Sequence, residues 1–199
     1  MKTVIRKSLV LVVLLATIVC YGNEISGNTN DGKSVKTSVT FKNVKNGSVL
    51  SIIDDNGLTL YKEVIKFNGE YTRGFDLTAL PDGNYYFELN ADTEIKVVPF
   101  KVTLSVVTFD KTSETIIIKP RVHVMNGKVF VSKLALCDLG REMEIKIYAE
   151  NAELAYTGKI ARNKENYVGK IYDFSTSEKG KYTIVINTEG RRFVKHIQI

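Results

Sequence analysis

From Val35 to Ile199 the chain alternates apolar and polar residues over short runs, and turn signals break those runs about every ten residues. "EMEIKIY" shows the pattern: Met143, Ile145 and Ile147 share one face, while Glu142, Glu144 and Lys146 share the other. A period of two suits a strand with one buried and one wet face. No stretch beyond the first residues carries a helical period. These constraints predict an all-β, antiparallel sandwich or barrel. Asn56-Gly57 and Asn126-Gly127 each lie between apolar runs, the strongest short hairpin signal. Pro99 interrupts "TEIKVVPFKVTL" and predicts a sheet edge or a break there, because proline has no N–H to give to a ladder.

The chain also matches itself. Shifted by 97 residues, "DLTALPDGNYYFEL" falls on "DFSTSEKGKYTIVI", so Asp76 meets Asp173, Gly83 meets Gly180 and Tyr85 meets Tyr182. Shifted by 95, "SIIDDNGLTLYKEVI" falls on "KIYAENAELAYTGKI", with Ile52 on Ile147 and Tyr61 on Tyr156. One two-residue loop insertion accounts for the change of offset. Ordered identities with preserved alternation point to a duplication.

The shared motif reads as scaffold. Pro81 pre-sets a turn. Gly83 and Gly180 can provide positive φ or tight clearance before a strand. Tyr85 and Tyr182 can bury their rings while each hydroxyl bonds back to nearby backbone, resembling the tyrosine corner of immunoglobulin-like sandwiches. Asp76 and Asp173 can brace the same turns. The expected organisation is a signal peptide at 1–22, a flexible leader at 23–34, and two immunoglobulin-like β-sandwich domains at 35–110 and 111–199.

The first segment holds Lys2, Arg6 and Lys7, then an apolar run of 13 residues, Leu9 to Tyr21. That is the pattern of a secretory signal, with cleavage expected after Gly22, and the run is short for a membrane span. Lipidation at Cys20 is the alternative fate of this segment. The mature chain is expected to hold no transmembrane span, and to reside in the periplasm, at the outer surface or outside the cell. Cleavage would leave Cys137 as its single cysteine, in the apolar context "LALCDL", where burial is expected. Residues 23–110 carry 9 Lys+Arg against 12 Asp+Glu, and residues 111–199 carry 16 against 10. The basic residues are interspersed with acids, which favours a solvated surface over a nucleic-acid site.

Catalytic signatures are missing. His123 and His196 lack partners at metal-ligand spacing, and no phosphate loop, nucleophile elbow or zinc-protease motif occurs. Asp54 and Asp55 fall in a turn, where solvated aspartate is ordinary. The reading is therefore a non-enzymatic structural or binding protein without cofactor or metal. Its expected partner is a protein or glycan at the cell envelope, met through exposed tyrosines such as Tyr86 or through loops at the sandwich ends.

"KIYAENAELAY…DFSTSEKGKYTIVINTEGRRFVKHIQI" resembles the C-terminal sorting domain of the type IX secretion pathway of Bacteroidetes. The likeness rests on the strand Ile145–Tyr148, the element Asp173–Ser175, the Gly180–Tyr182 strand and the closing hairpin. It lacks that family's opening Asn-Pro element and its basic last residue. The tandem copies resemble a broader group, the small secreted immunoglobulin-like proteins of Bacteroidetes of unknown function. The first resemblance implies that the last domain is a removable sorting signal, and the second that it is retained. The intact mass of the exported protein separates them: the retained-domain reading expects a chain from about Asn23 to Ile199, and loss of about the final 80 residues would support sorting.

Overall fold

The computed structural model describes residues 25–27, 36–134, 142–161 and 167–199. The expected signal segment, Cys20 and Cys137 lie outside the described residues. Among the described residues no helix is long and apolar enough to cross a membrane.

The first nine strands are β1 (Ile25–Gly27), β2 (Thr37–Val44), β3 (Val49–Asp54), β4 (Thr59–Val64), β5 (Gly69–Phe75), β6 (Gly83–Asn90), β7 (Glu94–Thr103), β8 (Val106–Phe109) and β9 (Thr115–Ile118). They form two antiparallel sheets. One has the order β1-β2-β5; the other has the order β4-β3-β6-β7-β8, with β9 also on β7. Seven more strands follow: β10 (Arg121–Met125), β11 (Lys128–Leu134), β12 (Met143–Tyr148), β13 (Leu154–Ile160), β14 (Tyr167–Asp173), β15 (Lys181–Thr188) and β16 (Arg191–Gln198). Their sheets run β10-β11-β14 and β13-β12-β15-β16. Each pair of sheets encloses its own core. The fold is thus two tandem immunoglobulin-like sandwiches.

Alternation decides which side of each strand is buried. On β2, Val39 and Phe41 point inward, and on β11 Val129 and Val131 do the same. Phe87 of β6 is fully buried and meets the rings of Phe41, Phe75, Phe100 and Phe109 at centroid distances of 5.1–6.5 Å. Losing such a ring typically costs about 3–5 kcal/mol. The equivalent residue in the second core is Ile184, also fully buried. Lys133 breaks the pattern. It occupies a core-facing position on β11, and its ammonium pairs with Glu189 from the β15–β16 turn.

The duplication extends to the ladders. Ile52 pairs with Phe87 and Leu50 with Leu89; Ile147 pairs with Ile184 and Ile145 with Ile186. Tyr61 lies opposite Ile52 and Tyr156 opposite Ile147, and both pairings slip at the next residue. The offsets of 95 and 97 are therefore the offsets of two strands that pair with each other in both copies.

Three local features refine the sequence reading. Ile25–Gly27, within the segment expected to be a flexible leader, forms β1 and pairs with Thr37–Val39. This corrects that expectation for these three residues, whose backbone groups find partners on the β2 edge. Pro99 marks a break. β8 pairs with Phe100–Thr103 and β9 with Glu94–Val97, so the outer partner divides beside the proline. A 3-10 turn, Lys111–Ser113, spans the division, with Asp110 accepting from the N–H groups of Thr112 and Ser113. Finally, Asn126 and Gly127 have φ of 50° and 70°, the two left-handed residues that a tight hairpin requires.

β8 and β9 have no counterpart among the described residues of the second sandwich. They carry the chain back along β7, and Lys119 then donates its N–H to Thr93 O at 2.9 Å, beside the β6–β7 turn. The second sandwich starts there. Its β15–β16 turn, equivalent to the β6–β7 turn, brings Arg191 onto the buried carboxylate of Glu88. Burial pushes the Lys119 ammonium below its ordinary range, with Lys195 adding to the effect and Asp92 and Glu88 opposing it. The two sandwiches meet by equivalent ends, and their corner ends face apart.

Candidate functional site

The duplicated corners come first. Tyr85 donates its hydroxyl to Pro81 O at 2.8 Å, and Tyr182 donates to Glu178 O at 2.8 Å. Both rings are buried, and both acceptors lie four residues upstream. Asp76 accepts from the Thr78 hydroxyl at 2.7 Å, while Asp173 accepts from the Ser175 N–H at 2.9 Å. The Ser175 side chain and N–H hold the Asp173 carboxyl below its ordinary range. The glycines do less than their spacing suggests. Neither Gly83 nor Gly180 has positive φ. A Cβ on Gly83 would meet the Tyr85 hydroxyl at 3.4 Å, and one on Gly180 would meet Glu150 at 3.6 Å, both ordinary contacts. The two aspartates and two tyrosines brace their turns through these hydrogen bonds.

The free end of the first sandwich gathers three turns. Asp54 accepts from the N–H groups of Asn56 and Leu58 at 2.9 and 2.8 Å, closing the β3–β4 turn. Asn84 donates to Asp55 at 2.9 Å, tying that turn to the start of β6. Asp82 accepts from the Leu104 N–H at 2.8 Å, tying the corner to the β7–β8 turn. Leu104 and Ser105 have φ of 49° and 62°, where side-chain-bearing L residues are uncommon. Leu104 is 83% exposed, Val106 63% and Leu58 61%. Among the described large hydrophobic residues Leu104 is the most exposed, in a left-handed turn whose N–H is held by a carboxylate. Tyr86, the tyrosine singled out by sequence, is half-buried on β6 opposite Ile53 and Pro99.

A second duplicated arrangement closes the mouth between the sheets where β4 faces β5. Tyr61, Tyr71 and Arg73 all donate to one oxygen of Glu63, with Tyr71 at 2.8 Å. The Arg73 guanidinium lies 5.2 Å from the Tyr61 ring and 5.8 Å from the Phe75 ring. Hydrogen bonds from Tyr61 and Tyr71, with the Arg73 charge, hold the Glu63 carboxyl below its ordinary range. Burial, then the bond to Glu63, pushes both tyrosine hydroxyls up.

The equivalent mouth lies between β13 and β14. Lys170 takes the place of Arg73, 5.1 Å from the Tyr156 ring and 5.4 Å from the Tyr172 ring. The two rings meet edge to face at 5.0 Å, as Tyr61 and Phe75 do at 5.2 Å. Lys170 donates to the Tyr156 hydroxyl at 2.9 Å, which lowers that hydroxyl's pKa. The Tyr172 hydroxyl is pushed up by burial and then by the neighbouring Tyr156 hydroxyl, and makes no well-formed hydrogen bond among the described residues. Gly158 stands where Glu63 stands in the first copy, and Val168 where Tyr71 stands. Sequence comparison aligned Tyr61 with Tyr156 but passed over both mouths, because their members lie on separate strands and the acid is not repeated.

On the outer face of the four-stranded sheet, Tyr148, Lys181, Thr183, Arg192 and His196 line a shallow groove of about 700 Å³. The Thr183 hydroxyl and His196 Nδ1, 3.0 Å apart, join neighbouring strands across it. No group of three or more His, Cys, Asp or Glu able to hold a metal occurs among the described residues.

No family model matches the chain. No curated protein matches it in sequence. Among solved structures, it is similar to the BSP domain of a biofilm-associated protein at 12% identity and TM-score 0.29, covering 82% of this chain and 27% of that one. A tetra-tandem repeat from the extending region of a large adhesion protein is 12% identical at TM-score 0.30, covering 88% and 47%. The FN1–FN3 domains of chicken CNTN1 are 13% identical at TM-score 0.30, covering 88% and 63%. The chain spans less than two thirds of each of these chains. Likenesses at such TM-scores carry no argument about partners, and the fold rests on the strand ladders.

Two outcomes are expected. Tyr85→Phe and Tyr182→Phe each lower stability by about 0.5–1.5 kcal/mol, the net worth of one hydrogen bond, in denaturant unfolding; unchanged unfolding in both would remove the corner role. Glu63 has a depressed folded pKa, so its contribution is complete above the unfolded pKa and is lost as pH falls through the folded one. Melting of the wild type should therefore fall more steeply below about pH 4.3, the ordinary glutamate value, than melting of Glu63→Gln.

Proposed function

We propose that this chain is an exported, non-enzymatic binding or structural module of the cell envelope. In this reading it contacts a protein or glycan through the turns at the free end of its first sandwich. The observation that carries the reading is the Leu104 turn. An L residue there adopts an uncommon backbone, and its apolar side chain faces water. The left-handed backbone closes the tight β7–β8 hairpin, a place where asparagine or glycine is favoured, and an exposed leucine side chain there is expected of a contact residue. Loops at the ends of a sandwich are also where rigid strands best present a binding surface.

Export to the periplasm, outer surface or exterior rests on the charged-then-apolar first segment. The division at 35–110 and 111–199 belongs to the same proposal, with β9 the strand that crosses it to pair with β7. Kinship with the tandem immunoglobulin-like secreted proteins of Bacteroidetes accords with two copies of one sandwich in a single chain. The corner motif on β15 and the closing β15–β16 hairpin keep the sorting-signal reading as the second one.

Leu104→Asn tests the contact, because asparagine tolerates left-handed backbone while removing the apolar side chain. The variant should melt at or above the wild-type temperature. It should bind the envelope component retained by the wild type about ten-fold more weakly, the worth of one buried leucine. Equal retention by both proteins, or none by the wild type, would overturn the proposal.

A further inference from the structure

The two mouths form an internal comparison. In the first, a cation and two tyrosine hydroxyls converge on a single oxygen of Glu63. In the second, a cation stacks on two tyrosine rings in the same way, those of Tyr156 and Tyr172, and donates to the Tyr156 hydroxyl. Among the described residues, no acid takes the place of Glu63. Its position belongs to Gly158, and no other described residue brings a carboxylate to Lys170.

We propose that the β13–β14 mouth binds a carboxylate from outside the chain, in the position that Glu63 fills within the first sandwich. Three groups receive it. Lys170 is exposed, so its ammonium can turn from Tyr156 toward a ligand. The Tyr156 hydroxyl now accepts from Lys170, and with that bond exchanged it donates, as Tyr61 donates to Glu63. The Tyr172 hydroxyl belongs to a residue only 8% exposed; it interacts with the neighbouring Tyr156 hydroxyl but makes no well-formed hydrogen bond among the described residues. A buried hydroxyl without a hydrogen bond is destabilising, and a carboxylate oxygen would satisfy it. In the first copy Phe75 occupies this place, and no hydroxyl is left over there.

Gly158 keeps the mouth free for an outside acid. A Cβ at this position would lie 2.2 Å from the Tyr156 hydroxyl, so any side chain would force that ring to move. Glycine both lets Tyr156 lie across the strand and withholds the internal acid. The occupant of the first mouth is a glutamate side chain, so the ligand is assigned as a glutamate-type carboxylate, supplied by an acidic residue of a partner polypeptide. This site is separate from the Leu104 turn, and either can fail without the other.

The test uses the full chain with 13C-labelled tyrosine rings, titrated at pH 7 with N-acetylglutamate α-amide, which offers a single side-chain carboxylate. Saturable shifts of the Tyr156 and Tyr172 ring resonances are expected. Lys170→Gln should weaken the response about ten-fold or more, the effect of losing one hydrogen bond to a charged group. Tyr172→Phe, which restores the residue type found at this place in the first copy, should weaken it as well. No saturable shift in the wild type, an undiminished response in Lys170→Gln, or tighter binding of glucuronate or inorganic phosphate would overturn the assignment.

Discussion

The pairing of the third strand of each sandwich with its sixth determines the rest of the structure. Ile52 against Phe87 and Ile147 against Ile184 place the largest inward side chains directly opposite one another. A slip of one residue would turn every such side chain to water. With that ladder in place, the strand after each tight turn must pair outside the third strand, and the corner tyrosine must fall at the start of the sixth. The fourth strand then lies on the third, which leaves it facing the fifth across a gap at the sandwich edge. Both mouths arise from this gap. Their cation–aromatic stacks follow from strand order, and only their polar residues differ.

Much of this was legible in the sequence because it is local and periodic. Alternation identified the inward residues of β12 and β15, and Asn-Gly pairs located two hairpin turns. The offsets of 95 and 97 correspond to two strands that are neighbours in each sheet. What escaped was non-local. Pro99 indicated a break but not that two short strands share the far side of β7 around it. The short run at Ile25–Gly27 has no alternation long enough to read, and its strand exists because β2 offers an unpaired edge. The glycines of the corner motif were assigned roles in φ and clearance, yet neither Gly83 nor Gly180 has positive φ, and a Cβ at either would make only ordinary contacts. The tyrosine hydroxyls and their carbonyl acceptors hold those corners.

The two copies have diverged most where polar groups meet the surface. The first sandwich neutralises its mouth internally, with one carboxylate under three donors. The second keeps the cation and the rings and has Gly158 in the place of the acid. At the free end, the first copy has a hairpin tip beyond β7 that displays Leu104, and it uses Asp82 to fix that tip; Lys179 stands at the matching position of the second copy. Core positions tolerate exchange among Phe, Ile and Leu because burial and volume are what the interior demands. Charge at the edges is not interchangeable in this way, and duplication allows each copy to carry a different surface on one scaffold.

The return strand also has a mechanical consequence. The chain leaves the first sandwich through β9, which runs along β7 toward the second sandwich. Tension between the two bodies would pull β9 lengthwise, loading its hydrogen bonds to Glu94–Val97 together as a shear joint instead of opening them one by one from an end. Arg191 on Glu88 lies alongside that joint as a lateral brace. A short strand that serves mainly to reverse the chain thus also makes the junction resist extension more strongly than a bare linker of the same length.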